Sequence, residues 1–257
     1  MDKFAEMEIT RIENGRRTAV TDTVVTEARV EIYLDDVRTA VLLCSPGELE
    51  ELGAGFLFTE GLIASAGEIA DFAVKEDECR VSVTTKSGDI PPPAPENRVQ
   101  PVIAPGSSFA PPPGDRFPKP GRSFHMAPPE AFMLVGRLHE MSRLHAKTGG
   151  VHGAALCRGG EVLFFREDIG RLNALDRAVG AGLLKGVSLA ECVLLTSGRV
   201  SSAVLGKVAR AGVPALLSPS AVTDGAVRLA REQGILLAGF VRNERMNVYS
   251  REDGFVR

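Results

Sequence analysis

The chain has 257 residues, 44% hydrophobic and 25% charged, with a formal net charge of −3. That length and composition belong to a globular protein with a real core, in one large domain or two modest ones. No apolar run reaches the roughly 18 residues that a membrane helix needs, and the N-terminal stretch lacks the basic-then-apolar order of a signal peptide, so a soluble, cytoplasmic protein without a membrane partner is expected.

The charge is unevenly spread. Residues 1–120 carry 12 Lys and Arg against 21 Asp and Glu, whereas residues 121–257 carry 18 against 12. The basic half can attract an anionic ligand. Neither a basic tail nor an aromatic-basic interleave is present, which excludes general nucleic-acid binding.

Residues 8–43 alternate in the manner of strands, with Asp35-Asp36 as a turn. "SPGELEELGAGFLFTEGLI" then predicts a helix with Ser45 as N-cap, Pro46 at its first position and Glu48 closing a capping box. Leu49, Leu52 and Phe56 form its apolar stripe, and "ECRVSVTT" reads as a further strand. Residues 8–90 thus form a small α+β domain. Residues 91–122 form a linker or long loop, since 11 of the 16 prolines fall within residues 91–120.

The remainder, residues 123–257, reads as an α/β domain. A helix starts at Pro128-Pro129-Glu130 and carries Leu134, Leu138, Met141 and His145 to a stop at Lys147–Gly150. "VHGAALC" and "EVLFF" make a hairpin around Arg158-Gly159-Gly160, and "EDIGRLNALDRAVGAGLL" is a helix with Asp168 suited to its N-cap. After it come strand "CVLLT", helix "SSAVLGKVARA", strand "PALLS", helix "DGAVRLAREQ" and strands "ILLAGFV" and "MNVYS".

Strands alternating with helices over short connections form a parallel sheet, and ligands bind beyond the carboxyl ends of such strands. Three polar groups fall there. Ser197-Gly198-Arg199 follows the first parallel strand, with Ser201 and Ser202 just beyond; Ser218, Ser220 and Thr223 follow the second; and Arg242, Asn243 and Arg245 follow the third. Helix N-termini present free N–H groups, hydroxyls add donors and arginines add bidentate charge, which together suit a phosphate. Ordinary capping with solvated arginines is the competing account of each turn alone. Arg166, Glu167, Asp168, Asn173 and Asp176 make a second polar group, and His152 follows a Gly-Gly turn among small residues. Hydrolase elbow, Walker loop, dinucleotide fingerprint and zinc-deaminase signature are all absent from the sequence. Cys44, Cys79, Cys157 and Cys192 have no metal-knuckle or redox spacing and read as small buried hydrophobes.

"GFLFTEGLI", "TGGVHGAALC", "FREDIGRLNALDRAVG", "TSGRVSSAVLGKVARAGVPALLSPSAVT" and "AVRLAREQGILLAGFVRNERMNVYS", in that order, resemble the formate dehydrogenase accessory protein family (FdhD/NarQ). The resemblance implies a sulfurtransferase that carries persulfide sulfur from a cysteine desulfurase to the molybdenum bis-guanine-dinucleotide cofactor of formate dehydrogenase. It also implies a three-layer C-terminal domain similar to the cytidine deaminase fold, without its zinc chemistry, and a homodimer. The family's cofactor-binding segment matches Phe240, Val241, Arg242, Asn243, Glu244 and Arg245, and guanine nucleotide is the natural surrogate ligand. The family's Cys-x-x-Cys matches "FAPP", so Phe109 stands at the persulfide position and Pro112 at the second cysteine; Leu172 stands where the family often has histidine. A persulfide needs a thiolate. Two readings follow: a sulfurtransferase using another thiol, with Cys157 beside His152 as surrogate, or a cofactor-binding chaperone or regulator without sulfur chemistry.

Overall fold

The computed structural model describes residues 2–75, 79–88 and 124–256; Phe109, Pro112 and the expected 91–122 loop lie outside the described residues. The chain opens on an antiparallel ribbon, β1 (Phe4–Glu13) and β2 (Arg16–Val25), turned at Asn14-Gly15. A four-stranded sheet follows: β3 (Ala28–Leu34), β4 (Val37–Cys44), β5 (Ile69–Lys75) and β6 (Arg80–Thr85), in the order β4-β3-β6-β5. The turn at Asp35-Asp36 joins β3 to β4 with positive φ at both residues, the requirement of a tight hairpin. Helix α1 (Leu49–Thr59) lays Leu49, Leu52, Phe56 and Leu57 on this sheet.

Ser45 does not cap α1. The cap position is Glu48, in the left-handed region at φ 44°, and no side chain bonds to it. Ser45 is taken by longer-range partners: its N–H donates to Asp168 and its Oγ accepts from the Ile169 N–H. The local capping box loses to bonds across the molecule.

The second sheet is built from β7 (His152–Arg158), β8 (Glu161–Asp168), β9 (Val193–Thr196), β10 (Ala215–Leu217), β11 (Leu236–Arg242) and β12 (Arg245–Ser250), in the order β12-β11-β10-β9-β7-β8. Strands β9, β10 and β11 are parallel, as expected, and the other pairs are antiparallel. Five helices accompany it: α2 (Pro128–Met141), α3 (Arg143–Thr148), α4 (Arg171–Leu184), α5 (Ser202–Arg210) and α6 (Asp224–Gln233). Side-chain alternation sorts the core into two faces. Leu156, Leu194, Leu216 and Leu237 pack under α4, α5 and α6. Cys157, Leu195, Leu217 and Ala238 pack under Leu134, Val135 and Leu138 of α2. A sheet between two helical layers results, the three-layer arrangement expected from the resemblance.

Two boundaries differ from the sequence reading. The helix expected from Pro128 to Lys147 breaks at Ser142, whose ψ of 65° leaves the helical region and whose hydroxyl donates to the Leu138 carbonyl at 2.8 Å. The helix expected to take in Glu167 and Asp168 begins only at Arg171, because β8 continues through Asp168.

Helix α4 is covered on two sides. Its Ala174, Leu175, Ala178 and Val179 face the six-stranded sheet, and its other side meets α1 at glycine. A Cβ on Gly55 would lie 1.8 Å from the Asp176 carbonyl oxygen, and one on Gly180 1.9 Å from that of Glu51. Beside this crossing, Asp176 accepts from Thr59 Oγ1 at 2.6 Å and from Lys207 Nζ at 3.0 Å, all three buried. In an exposed helix, Gly→Ala stabilises by about 1 kcal/mol. Here the sign is expected to reverse: Gly180→Ala should lower unfolding free energy by roughly 1–3 kcal/mol or more, because backbone cannot yield as a side chain does. A urea titration showing Gly180→Ala equal to or more stable than the parent would contradict this crossing.

Candidate functional site

The topology gathers the polar groups along one sheet edge. Strands β9, β10 and β11 end there, and antiparallel pairing brings the start of β7 to the same edge, with His152 opposite Asp168 and Ala154 opposite Thr196. The start of β12 joins them through the Arg242–Arg245 pair. The turns after β9 and β10 are stitched together: Val200 N–H donates to the Ala221 carbonyl and Thr223 N–H to the Val200 carbonyl, both at 2.9 Å. At the end of β11, a bulge puts Phe240 at φ 53°, a strained conformation for an aromatic residue. Its N–H and that of Val241 reach the Ser220 and Ser218 carbonyls at 3.0 Å, so the strain is held by the neighbouring turn.

A cleft of about 720 Å³ opens at this edge, within the usual range for small-molecule sites. Of the predicted residues, His152, Ser197, Val241, Arg242 and Asn243 line it. Phe132, Val135 and Leu138 of α2 supply an apolar wall, and His139, Ser142 and His145 recur every third residue along its rim. Sequence reasoning missed these α2 and α3 residues; their three-residue spacing was the available signal.

It also missed Arg171. This residue opens α4 directly after Gly170 and packs over Gly198, where a Cβ would lie 3.2 Å from Arg171 Cβ and 3.4 Å from His152 Nδ1. Arg171 and His152 therefore both lie against Gly198. Arg171 Nε and Ser201 Oγ are buried with no hydrogen-bond partner among the described residues. Ser201 occupies the cap position of α5 without capping it. Among the described residues no carboxylate pairs with Arg171, Arg199, Arg242 or Arg245. His152 is accordingly held below the usual imidazole range, by burial first and then by Arg171, His145 and Arg199.

Other predicted residues are already committed to the protein. Ser218 is buried, donates to the Gly198 carbonyl at 2.9 Å and accepts from the Ser220 N–H at 3.0 Å. Thr223 is an ordinary cap of α6, accepting from the Ala226 N–H at 3.3 Å. Phe240 carries Arg242 at 6.0 Å over its ring, while Asn243 and Glu244 form the tight turn between β11 and β12. Asp168 does not cap a helix: it is fully buried and accepts from Ser45 N–H, Gly170 N–H, Asn173 Nδ2 and Arg177 Nε. Asn173 also donates to the Leu43 carbonyl at 2.8 Å. Arg166 grips Glu51 of α1 with two bonds at 2.5 and 2.6 Å. These residues, with Asp176, join the two sheets' layers, and Leu172, near the start of α4, packs partly buried against the core.

The surrogate thiol fares poorly. Cys157 is buried under α2, and burial pushes its thiol up to about 12. Burial likewise lifts Cys44 to about 12 and Cys192 to about 11. None of the three is a thiolate at neutral pH.

The profile of the FdhD/NarQ family matches residues 25–255. A protein of Bacillus subtilis named sulfur carrier protein FdhD is 36% identical over 253 residues, covering 96% of this chain and 95% of the relative. One of the same name from Listeria innocua is 32% identical over 268 residues, covering 100% and 99%. The crystal structure of a candidate formate dehydrogenase accessory protein from Desulfotalea psychrophila superposes with a TM-score of 0.81 at 28% identity, covering 99% of this chain and all of that one.

The thiol environments lead to a direct expectation. With the native protein near neutral pH, iodoacetamide should leave Cys44, Cys157 and Cys192 unmodified, and all three should react on unfolding. Peptide mass spectrometry showing native alkylation of Cys157 would reverse its assignment as core.

Proposed function

The chain belongs to the FdhD/NarQ family, and we propose that it serves formate dehydrogenase maturation by holding the molybdenum bis-guanine-dinucleotide cofactor at the carboxyl edge of its six-stranded sheet. The observation that carries this reading is the set of donors beside the cleft: Arg171 packs against Gly198 next to the cleft-lining His152, Arg171 Nε and Ser201 Oγ are buried with no partner among the described residues, and Arg242 lies on the lining. Buried polar atoms left unpaired are costly, and a phosphate oxygen satisfies both an arginine and a hydroxyl. The apolar wall of Phe132, Val135, Leu138 and Val241 suits a flat heterocycle. The residues therefore fit one guanine nucleotide, half of the cofactor's paired ends. When bound, the cofactor supplies the redox chemistry of the client enzyme; this chain's residues bind and orient it. The reading includes a homodimer working in the cytoplasm.

The relatives named sulfur carriers carry that function by name, and sulfur delivery from a cysteine desulfurase extends to this chain as part of the family reading. The burial of Cys44, Cys157 and Cys192 favours a second reading, in which the chain holds the cofactor without forming a persulfide on these residues. Incubation with a cysteine desulfurase and labelled cysteine distinguishes the two; label on the Cys157 peptide would remove the second.

Calorimetric titration with GDP tests the cleft. Each charge-assisted bond is worth about 1.5–3 kcal/mol, so Arg171→Met and Arg242→Met should each weaken binding about tenfold or more. Thr223→Ala should cost about 1 kcal/mol of stability as a lost cap and leave GDP affinity nearly unchanged. Undiminished binding in both arginine variants, or no binding to the parent chain, would overturn the assignment.

A further inference from the structure

His152 sits among basic side chains and has no carboxylate partner among the described residues. Arg171 of α4 and His152 both pack against Gly198, and Arg171, His145 of α3 and Arg199 of the turn after β9 act on the ring electrostatically. His139 and Arg242 line the same cleft. Two carboxylates lie nearby on β8, and both are turned to other work. Asp168, opposite His152, has its oxygens filled by Ser45, Gly170, Asn173 and Arg177. Glu167, opposite Gly153, accepts from the Leu144 N–H at 3.0 Å and the His145 N–H at 2.9 Å. The ring is half-buried and is one of the cleft's lining groups, so a ligand can reach it.

We propose that anion binding in this cleft is coupled to protonation of His152: the ligand's phosphate supplies the counter-charge that the fold withholds, and the imidazole takes up one proton from solvent as the anion settles. The inference rests on reading the cleft as a phosphate site. Its logic is that of linked equilibria. In the free protein, burial first and then Arg171 disfavour the protonated ring. A phosphate dianion reverses the local field, so the bound-state pKa rises above the free-state one. Affinity is then greatest below the free-state pKa and falls as pH climbs to the bound-state pKa, by up to about tenfold per pH unit between the two. Release at higher pH is built into the same residue that helps hold the ligand.

The chain has four histidines, few enough for each ring to be followed by NMR in the full-length protein, with His152→Gln assigning the resonance. The titration midpoint of His152 is expected to rise by about one unit or more on saturation with GDP. Calorimetry in buffers of different ionisation enthalpy should show proton uptake in the parent that is absent from His152→Gln; taking the difference cancels the titration of GDP itself. If GDP binds, and binds more weakly to the Arg171→Met and Arg242→Met variants, while the His152 midpoint stays put or falls, the coupling is wrong and the cleft assignment stands. If GDP does not bind anywhere between about pH 5.5 and 8, both are wrong. Should His152→Gln fail to fold, the parent titration alone still decides, since the other rings are assigned by substituting them in turn.

Discussion

A guanidinium sealed from water governs how the two halves of the molecule meet. Arg177, on α4, is fully buried. Its Nε donates to Asp168 at the end of β8, and its terminal nitrogens donate to the carbonyls of Gly47 and Ser45 ahead of α1. Such a pair is not a large source of net stability, because desolvation offsets most of the attraction. It acts through geometry. Removing either partner strands a buried charge at a cost of about 3–5 kcal/mol, so the loop before α1 and the end of β8 have one permitted alignment. That alignment forces Glu48 into the left-handed region and draws Ser45 away from the helix it would otherwise cap.

The same alignment reaches the edge of the six-stranded sheet where the cleft opens. Asp168 lies opposite His152 on the neighbouring strand. With Asp168 committed to Arg177, its charge is directed into the seam between layers, and the edge keeps its surplus of cations. The glycine crossing of α1 and α4 permits this closeness. Larger residues at Gly55 or Gly180 would separate the helices and pull Asp168 from the loop it binds.

At the edge itself, local order is surrendered in several places. Phe240 holds a strained backbone, Ser201 leaves its helix uncapped, and Arg171 Nε is buried with no partner among the described residues. Each feature costs free energy in the isolated protein. Their concentration at one end of the sheet is in keeping with the proposed anion site, and strain of this kind persists only where neighbours over-determine it. Here the neighbours are the Ser218 and Ser220 carbonyls and the paired turns after β9 and β10.

The order of strands and helices in the second half, and the collection of Ser197, Arg199 and Arg242 at one edge, were legible in the sequence because both follow from local periodicity and chain direction. The tight turn at Asp35-Asp36 was legible for the same reason. The roles of Ser45, Asp168 and Asn173 were not. Each carries a strong local signal for capping or ligand contact, and each is claimed by partners more than a hundred residues away, with Ser45 to Asp168 and Asn173 to Leu43 as the bonds in question. Arg171 and the α2 wall also escaped, since a cleft between layers has no signature within any one segment. The sequence by itself determined the elements and the edge on which they end. Tertiary structure alone decided which polar groups remain free there, because a hydrogen-bonding group can be spent only once, and its nearest partner in space is set by packing.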